Sequence, residues 1–251
     1  MRTHSFFAAA VLTLLGACST PGVAVQAGYA QLTLDGDLGY AQAGNGIAVS
    51  QDLESGFGLG DAQGAPYARA MLDLGTPVLA VSGFLFDEEG DGQLTAQFGD
   101  LTANTAVHTK FEMMNLKGSL AFDIPIGPVS LSPGIAVDYF DLDIQVRDAF
   151  GAVTEDVEVA GPVPMLFLRG QVDLGTVGLV AEAGYMKVDV EDVNASLLDI
   201  EALVEVRPIV LLNLFAGYRL MNLQMDGEVD GDAFDADITL RGFVIGGGIR
   251  F

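Results

Sequence analysis

The chain has no tryptophan, one cysteine and two histidines in 251 residues. A lone Cys18 rules out an intramolecular disulfide. His4 lies near the start, so His108 alone remains in the body of the chain as an ordinary general base. Basic residues are scarce: 11 Lys and Arg stand against 34 Asp and Glu, a formal charge of −23. Nucleic acid is thereby excluded as a partner, because binding phosphates takes clustered cations. Long apolar runs are missing too. Beyond the first 17 residues no uninterrupted apolar stretch of ~20 residues occurs, the length a helix needs to cross a bilayer. Yet 50% of the residues are hydrophobic and mean hydropathy is +0.41. So much apolar content without such a run fits a wall of strands that alternates apolar and polar positions.

Residues 1–17 carry a basic start (Arg2, His4) and an apolar core from Phe6 to Leu15. This is the pattern of a secretory leader, which is too short to anchor and is no part of the fold. Two cleavage sites compete. Leu15-Gly16-Ala17-Cys18 matches a lipoprotein box, which makes Cys18 a candidate for lipidation. Val25-Gln26-Ala27 before Gly28 matches the small-x-small site of ordinary signal peptidase. The second cut gives a leader of 1–27 and a single barrel domain of 28–251.

Strict alternation then recurs along the chain, the mark of half-buried strands. Gly28–Gln42 opens it, with Leu32, Leu34, Gly36, Leu38 and Tyr40 assigned to lipid and Gln31, Thr33, Asp35 and Asp37 to the lumen. Further strands follow over 65–74, 77–86, 105–124, 128–146, 159–174, 177–189, 195–207 and 209–225. The phase slips near Tyr139-Phe140, which marks a bulge or the end of the lipid zone. Connections near 75, 126, 175 and 208 are tight. Those at 43–64, 87–104, 147–158, 190–194 and 226–232 are longer or more acidic. Short turns on one side and longer loops on the other are the barrel rule. The expectation is an all-β, closed, antiparallel up-and-down barrel of ten strands, or eight if the 65–86 hairpin stays out of the wall.

The last stretch, Ala233–Phe251, places Phe243, Ile245, Ile249 and Phe251 on one face and ends on an aromatic. This ending resembles the C-terminal assembly signal of bacterial outer-membrane β-barrel proteins. The resemblance implies a Gram-negative outer membrane as location. It implies the barrel assembly machinery, the bilayer and lipopolysaccharide as partners, and no cofactor.

Three places could carry chemistry. The first is the inward-facing charge set: Arg69, Lys117, Arg169, Arg207 and Arg219 with Asp73, Asp123, Asp173, Glu182, Asp199, Glu201 and Glu205. Narrow barrels are filled by side chains, so these charges should pair and hold the barrel together, or line a small cation-favouring path. The second is the acidic outer loops. Asp87-Glu88-Glu89-Gly90-Asp91-Gly92 begins like a calcium loop, but Phe98 stands where the twelfth-position acid belongs, which excludes an EF-hand. Weakly held divalent cations remain an expectation for these loops and for Asp226, Asp230 and Asp232. The third is His108. Thr109 and Lys110 follow it, so the His-x-Ser pair of lipid A deacylases is absent, and no Asp neighbours it in sequence as in omptin-type proteases. The reading is therefore a structural or small-pore barrel without enzymatic activity or metal. A barrel that binds at its acidic surface is the alternative, and a lipid-modifying hydrolase using His108 comes third.

Overall fold

The computed structural model describes residues 21–42, 48–190, 193–229 and 232–251. The leader, Cys18 and Asp230 lie outside the described residues. Twelve strands and one helical turn follow in order: β1 (Gly22–Ala41), β2 (Gln51–Asp52), α1 (Leu53–Phe57), β3 (Gln63–Asp73), β4 (Pro77–Gln93), β5 (Ala106–Phe122), β6 (Ile124–Ile126), β7 (Val129–Asp148), β8 (Thr154–Asp173), β9 (Val177–Val190), β10 (Val193–Ile209), β11 (Leu212–Val229) and β12 (Asp232–Arg250). Ten of them form one antiparallel ring; β2 and β6 are short additions to β1 and β7. The ring closes where β1 meets β12, from Ala24 against Arg250 to Ala41 against Ala233. Phe251 adds a reciprocal pair of backbone hydrogen bonds with Val23, at 2.9 and 3.0 Å. Closure leaves no bare edge to hydrocarbon, which offers backbone groups no partner. The 65–86 hairpin lies in the wall, which settles ten strands over eight.

Two of the tight connections share one chemistry. Asp73-Leu74-Gly75-Thr76 and Asp173-Leu174-Gly175-Thr176 are the same turn used twice. In each, the Asp side chain accepts from the Gly N–H at 2.8 Å. Gly75 and Gly175 have φ of 94° and 86°, a region where a Cβ is strained.

Facing changes character with height. On β7 the outward residues are Val129, Leu131, Ile135 and Val137, and the inward ones Ser132 and Asp138. Above Tyr139 the outward set becomes Asp141, Asp143, Gln145 and Arg147, and the inward set Phe140, Leu142, Ile144 and Val146. The ladders to β5 and β8 run through this point without a register shift. The slip at Tyr139-Phe140 is therefore the end of the lipid zone and no bulge. Tyr29, Tyr185, Tyr218 and Phe243 also face outward and are exposed, the residue types of an interfacial aromatic girdle.

This inversion corrects several expectations. β1 begins at Gly22, six residues before Gly28. Its lipid-facing residues are Val23, Val25 and Tyr29, whereas Leu32, Leu34 and Leu38 point inward and are buried. Asp35, assigned to the lumen, faces out and pairs with Arg241 at 3.0 Å. Thr33 and Asp37 share that outward face. The stretches expected as acidic loops are largely strand: β4 runs to Gln93, β7 to Asp148 and β11 to Val229. Outside the membrane an outer face must be polar, so its sequence reads like a loop.

The upper interior is a packed apolar core. Leu32 and Leu34 meet Phe86, Phe111, Ile144, Leu197, Met221 and Leu240 there. α1 enters it, with Leu53 and Phe57 fully buried. Asp52 caps this turn by accepting from the Ser55 N–H at 2.7 Å, and Gly58 ends it at φ 75°. A Cβ at Gly58 would strike the Asp91 backbone, so α1 is seated tightly against β4.

Candidate functional site

Below the core, at membrane height, a charge cluster crosses the lumen. Alternation on β3, β5, β8, β9, β10 and β11 turns Arg69, Lys117, Arg169, Glu182, Asp199, Glu201 and Arg219 inward, and all are buried. Lys117 on β5 reaches Asp199 on β10 at 2.7 Å. Arg69 on β3 bonds Glu201 on β10 at 2.7 Å and also contacts Glu182 on β9. Arg219 donates to Asp199 at 3.1 Å and to Asn115, on the far wall, at 3.0 Å. It lies 3.6 Å from Glu201 and over the Phe84 ring at 4.9 Å. Arg169 sits 3.7 Å from Glu182. Buried charges survive only with such partners, because desolvation costs several kcal/mol per ion.

Other expected members sit lower. Asp73 and Asp173 cap their turns. Arg207 bonds Asp173 at 3.0 Å near the rim, and Asp123 accepts from Ser132. Glu205 is within the cluster's edge and accepts from Gln26 at 3.0 Å. Four participants were not singled out from sequence: Gln26, Tyr67, Asn115 and Asp138. Tyr67 donates to Glu201 at 3.0 Å, and Asn115 donates to Asp138. Parity already put Asn115 and Asp138 on the inner face, so that signal was present. Gln26 was hidden by its assignment to the leader.

The outer belt is different. Asp87, Glu89 and Asp91 face outward along β4, while Glu88 points inward and accepts from the Gly60 and Asp61 N–H groups at 2.7 Å each. The calcium-like stretch is thus a strand that keeps its first, third and fifth acids, Asp87, Glu89 and Asp91, on one outer face. Asp226 accepts from Asn194 and Asp232 from Tyr40. Burial and that hydrogen bond push the Tyr40 phenol up to about 12. Among the described residues no group of three or more His, Cys, Asp or Glu is arranged to hold a metal. Register brings Asp91 beside His108, Oδ1 to Nδ1 at 2.9 Å, a pairing that sequence adjacency did not reveal. The pair lies on the outer surface, with the Asp91 side chain 89% exposed.

No family model matches the chain, and no curated protein matches it. Solved structures do. The outer-membrane protease OmpT of Escherichia coli aligns over 94% of this chain and 99% of its own, with TM-score 0.56 and 10% identity. The translocator domain of the autotransporter NalP from Neisseria meningitidis covers 97% and 93%, with TM-score 0.42 and 14% identity. Ail of Yersinia pestis covers 93% and 100%, with TM-score 0.38 and 12% identity. At 10% identity the likeness to OmpT is one of fold. The closed ring, the lipid-facing belt and this fold make the chain an outer-membrane β-barrel protein, and its place is the cell outer membrane.

Proposed function

We propose that this is a closed, non-conducting structural barrel without hydrolytic activity. The observation that carries the reading is Arg219, 2% exposed, which ties β11 to Asp199 on β10 and to Asn115 across the lumen. The apolar core above it supports the same reading, since ions cross neither a paired charge cluster nor packed Leu and Phe side chains. His108 and Asp91 face away from the barrel mouth, which argues against a site like those of rim proteases. Planar-bilayer recordings of the purified protein should be silent; steady cation-selective openings would overturn the proposal.

A second reading rests on one row of the outer belt. Asp87, Glu112, Asp143 and Glu158 stand at directly opposed positions on β4, β5, β7 and β8. Opposed like charges repel, and divalent cations or cation-bridged lipopolysaccharide would relieve them. Calorimetric titration with Mg²⁺ tests this, with Asp143→Asn expected to weaken the heat.

We also infer that processing occurs upstream of Gly22. A cut after Ala27 would remove Gly22–Ala27, which pair with Asp73–Ala68 of β3. It would also remove Val23, the partner of Phe251. The Cys18 box is the other candidate site, and the mass of the mature N-terminus tests it.

A further inference from the structure

The wall is split at two places in its upper half. β3 and β4 pair only from Asp73 against Val78 up to Tyr67 against Phe84. β8 and β9 pair only from Asp173 against Gly178 up to Leu166 against Tyr185. Both splits open at the aromatic girdle, and both have proline on the strand beside them: Pro66 on β3, and Pro162 and Pro164 on β8. Proline has no N–H for a ladder, so it is tolerated where pairing stops.

The two splits differ in what fills them. The β3–β4 split is stoppered from inside by α1, and Ala65, Phe86 and Glu88 beside it are buried. Among the described residues the β8–β9 split has no such stopper. Continuing its register, Met165 to Gly161 of β8 would stand beside Met186 to Val190 of β9, a slot about 17 Å long at 3.4 Å per residue. Its inward side chains are apolar yet incompletely covered. Val163 and Met186 are half-buried, and Val188 is 41% exposed. A Cβ built on inward-facing Gly161 would meet no atom within 4 Å. Met165 closes the floor, its thioether lying over Gly184. The slot is continuous with the lipid-facing belt through Leu166 and Tyr185, both exposed. At its mouth stands exposed Lys187, level with Pro164 in the continued register and without an ion-pair partner among the described residues.

We propose that the β8–β9 slot binds one acyl chain of a surrounding membrane lipid with an anionic headgroup. The chain lies against Val163, Met186 and Val188, and the headgroup meets Lys187. An inserted peptide strand fits less well, because Pro162 and Pro164 remove donors from the β8 edge and the walls are apolar.

The absence of tryptophan allows a direct test. The full chain carrying Met186→Trp is folded into phosphatidylcholine vesicles containing phosphatidylglycerol brominated on its acyl chains. Trp at 186 should be quenched, whereas Trp introduced by Phe86→Trp, beside the stoppered split, should not. Brominated phosphatidylglycerol should outcompete brominated phosphatidylcholine by roughly fivefold, the worth of one Lys near an anionic surface, and Lys187→Gln should abolish that preference. Quenching at 186 no stronger than at 86 would overturn the proposal, as would a blue-shifted, unquenched emission, which means the site is filled by something other than lipid. Equal quenching by both lipids, unmoved by Lys187→Gln, would overturn the headgroup assignment. If Met186→Trp does not fold, Val163→Trp makes the same measurement from the other wall of the slot.

Discussion

The lower and upper halves of the same strands obey opposite rules. Below the girdle, β10 shows Ile200, Val204 and Val206 to lipid and buries Asp199, Glu201 and Glu205. Above it, β7 shows Asp141 and Asp143 to water and buries Leu142 and Ile144. Neither half is more regular than the other. The difference is the medium outside: hydrocarbon takes the apolar set outward and leaves charges to pair within, whereas water takes the polar set and leaves a conventional core. The lower half is held by ion pairs in the lumen and the upper half by packing, so the two should fail in different ways.

The largest effect is expected from Arg219→Met. It leaves Asp199 and Glu201 with one buried cation fewer, at about 3–5 kcal/mol, read as a lower urea midpoint for unfolding from lipid. Leu34→Ala attacks the upper core and should cost about 3 kcal/mol, with little change in the lower half's resistance to amide exchange. If Leu34→Ala is neutral, the inward facing of upper β1 is wrong. Next comes a matched pair of outward charges. Val204→Arg on the lipid belt should cost about 2 kcal/mol or more, whereas Asp141→Arg above the girdle should stay within about 0.5 kcal/mol. Equal costs would erase the distinction between the halves. Gly75→Ala and Gly175→Ala, at identical turns, should each lose about 1 kcal/mol through a left-handed Cβ, and similar values for both would support a shared turn chemistry.

The smallest effect belongs to the cap of α1. The Ser55 N–H, then its hydroxyl, hold the Asp52 carboxyl below the usual carboxylate range. A depressed folded value means the contribution is complete above the unfolded value of about 3.9 and is lost as pH falls through the folded one. Protection of the Ser55 amide, measured against its intrinsic exchange rate, should therefore fall on acidification, and Asp52→Asn should make that protection insensitive to pH there.

Much of this was legible in the residues. The clean alternation of Leu198–Arg207 set β10's inward acids correctly, and Phe243, Ile245 and Ile249 do face out beside the closing seam. Tight turns at Gly75 and Gly175 were marked by their own composition. What failed was facing above the membrane. Leu32, Leu34 and Leu38 form as good an apolar stripe as any lipid-facing one, so periodicity alone sent them to the wrong side. Asp87 to Gly92 read as a loop because a strand whose outer face meets water is rich in acids. The Asp91–His108 contact could not be read at all, since it depends on how β4 and β5 are aligned.

From the chain alone came a wall of ten strands or eight, their two-residue period, the charges that require partners and the aromatic terminus at the seam. A period of two divides each strand into two faces but names neither, because the same Leu satisfies hydrocarbon outside or a core inside. Only the folded ring decided that. The ladders fix each residue's height, height fixes which solvent it meets, and the ends of two ladders left one gap stoppered by α1 and the other open at Lys187.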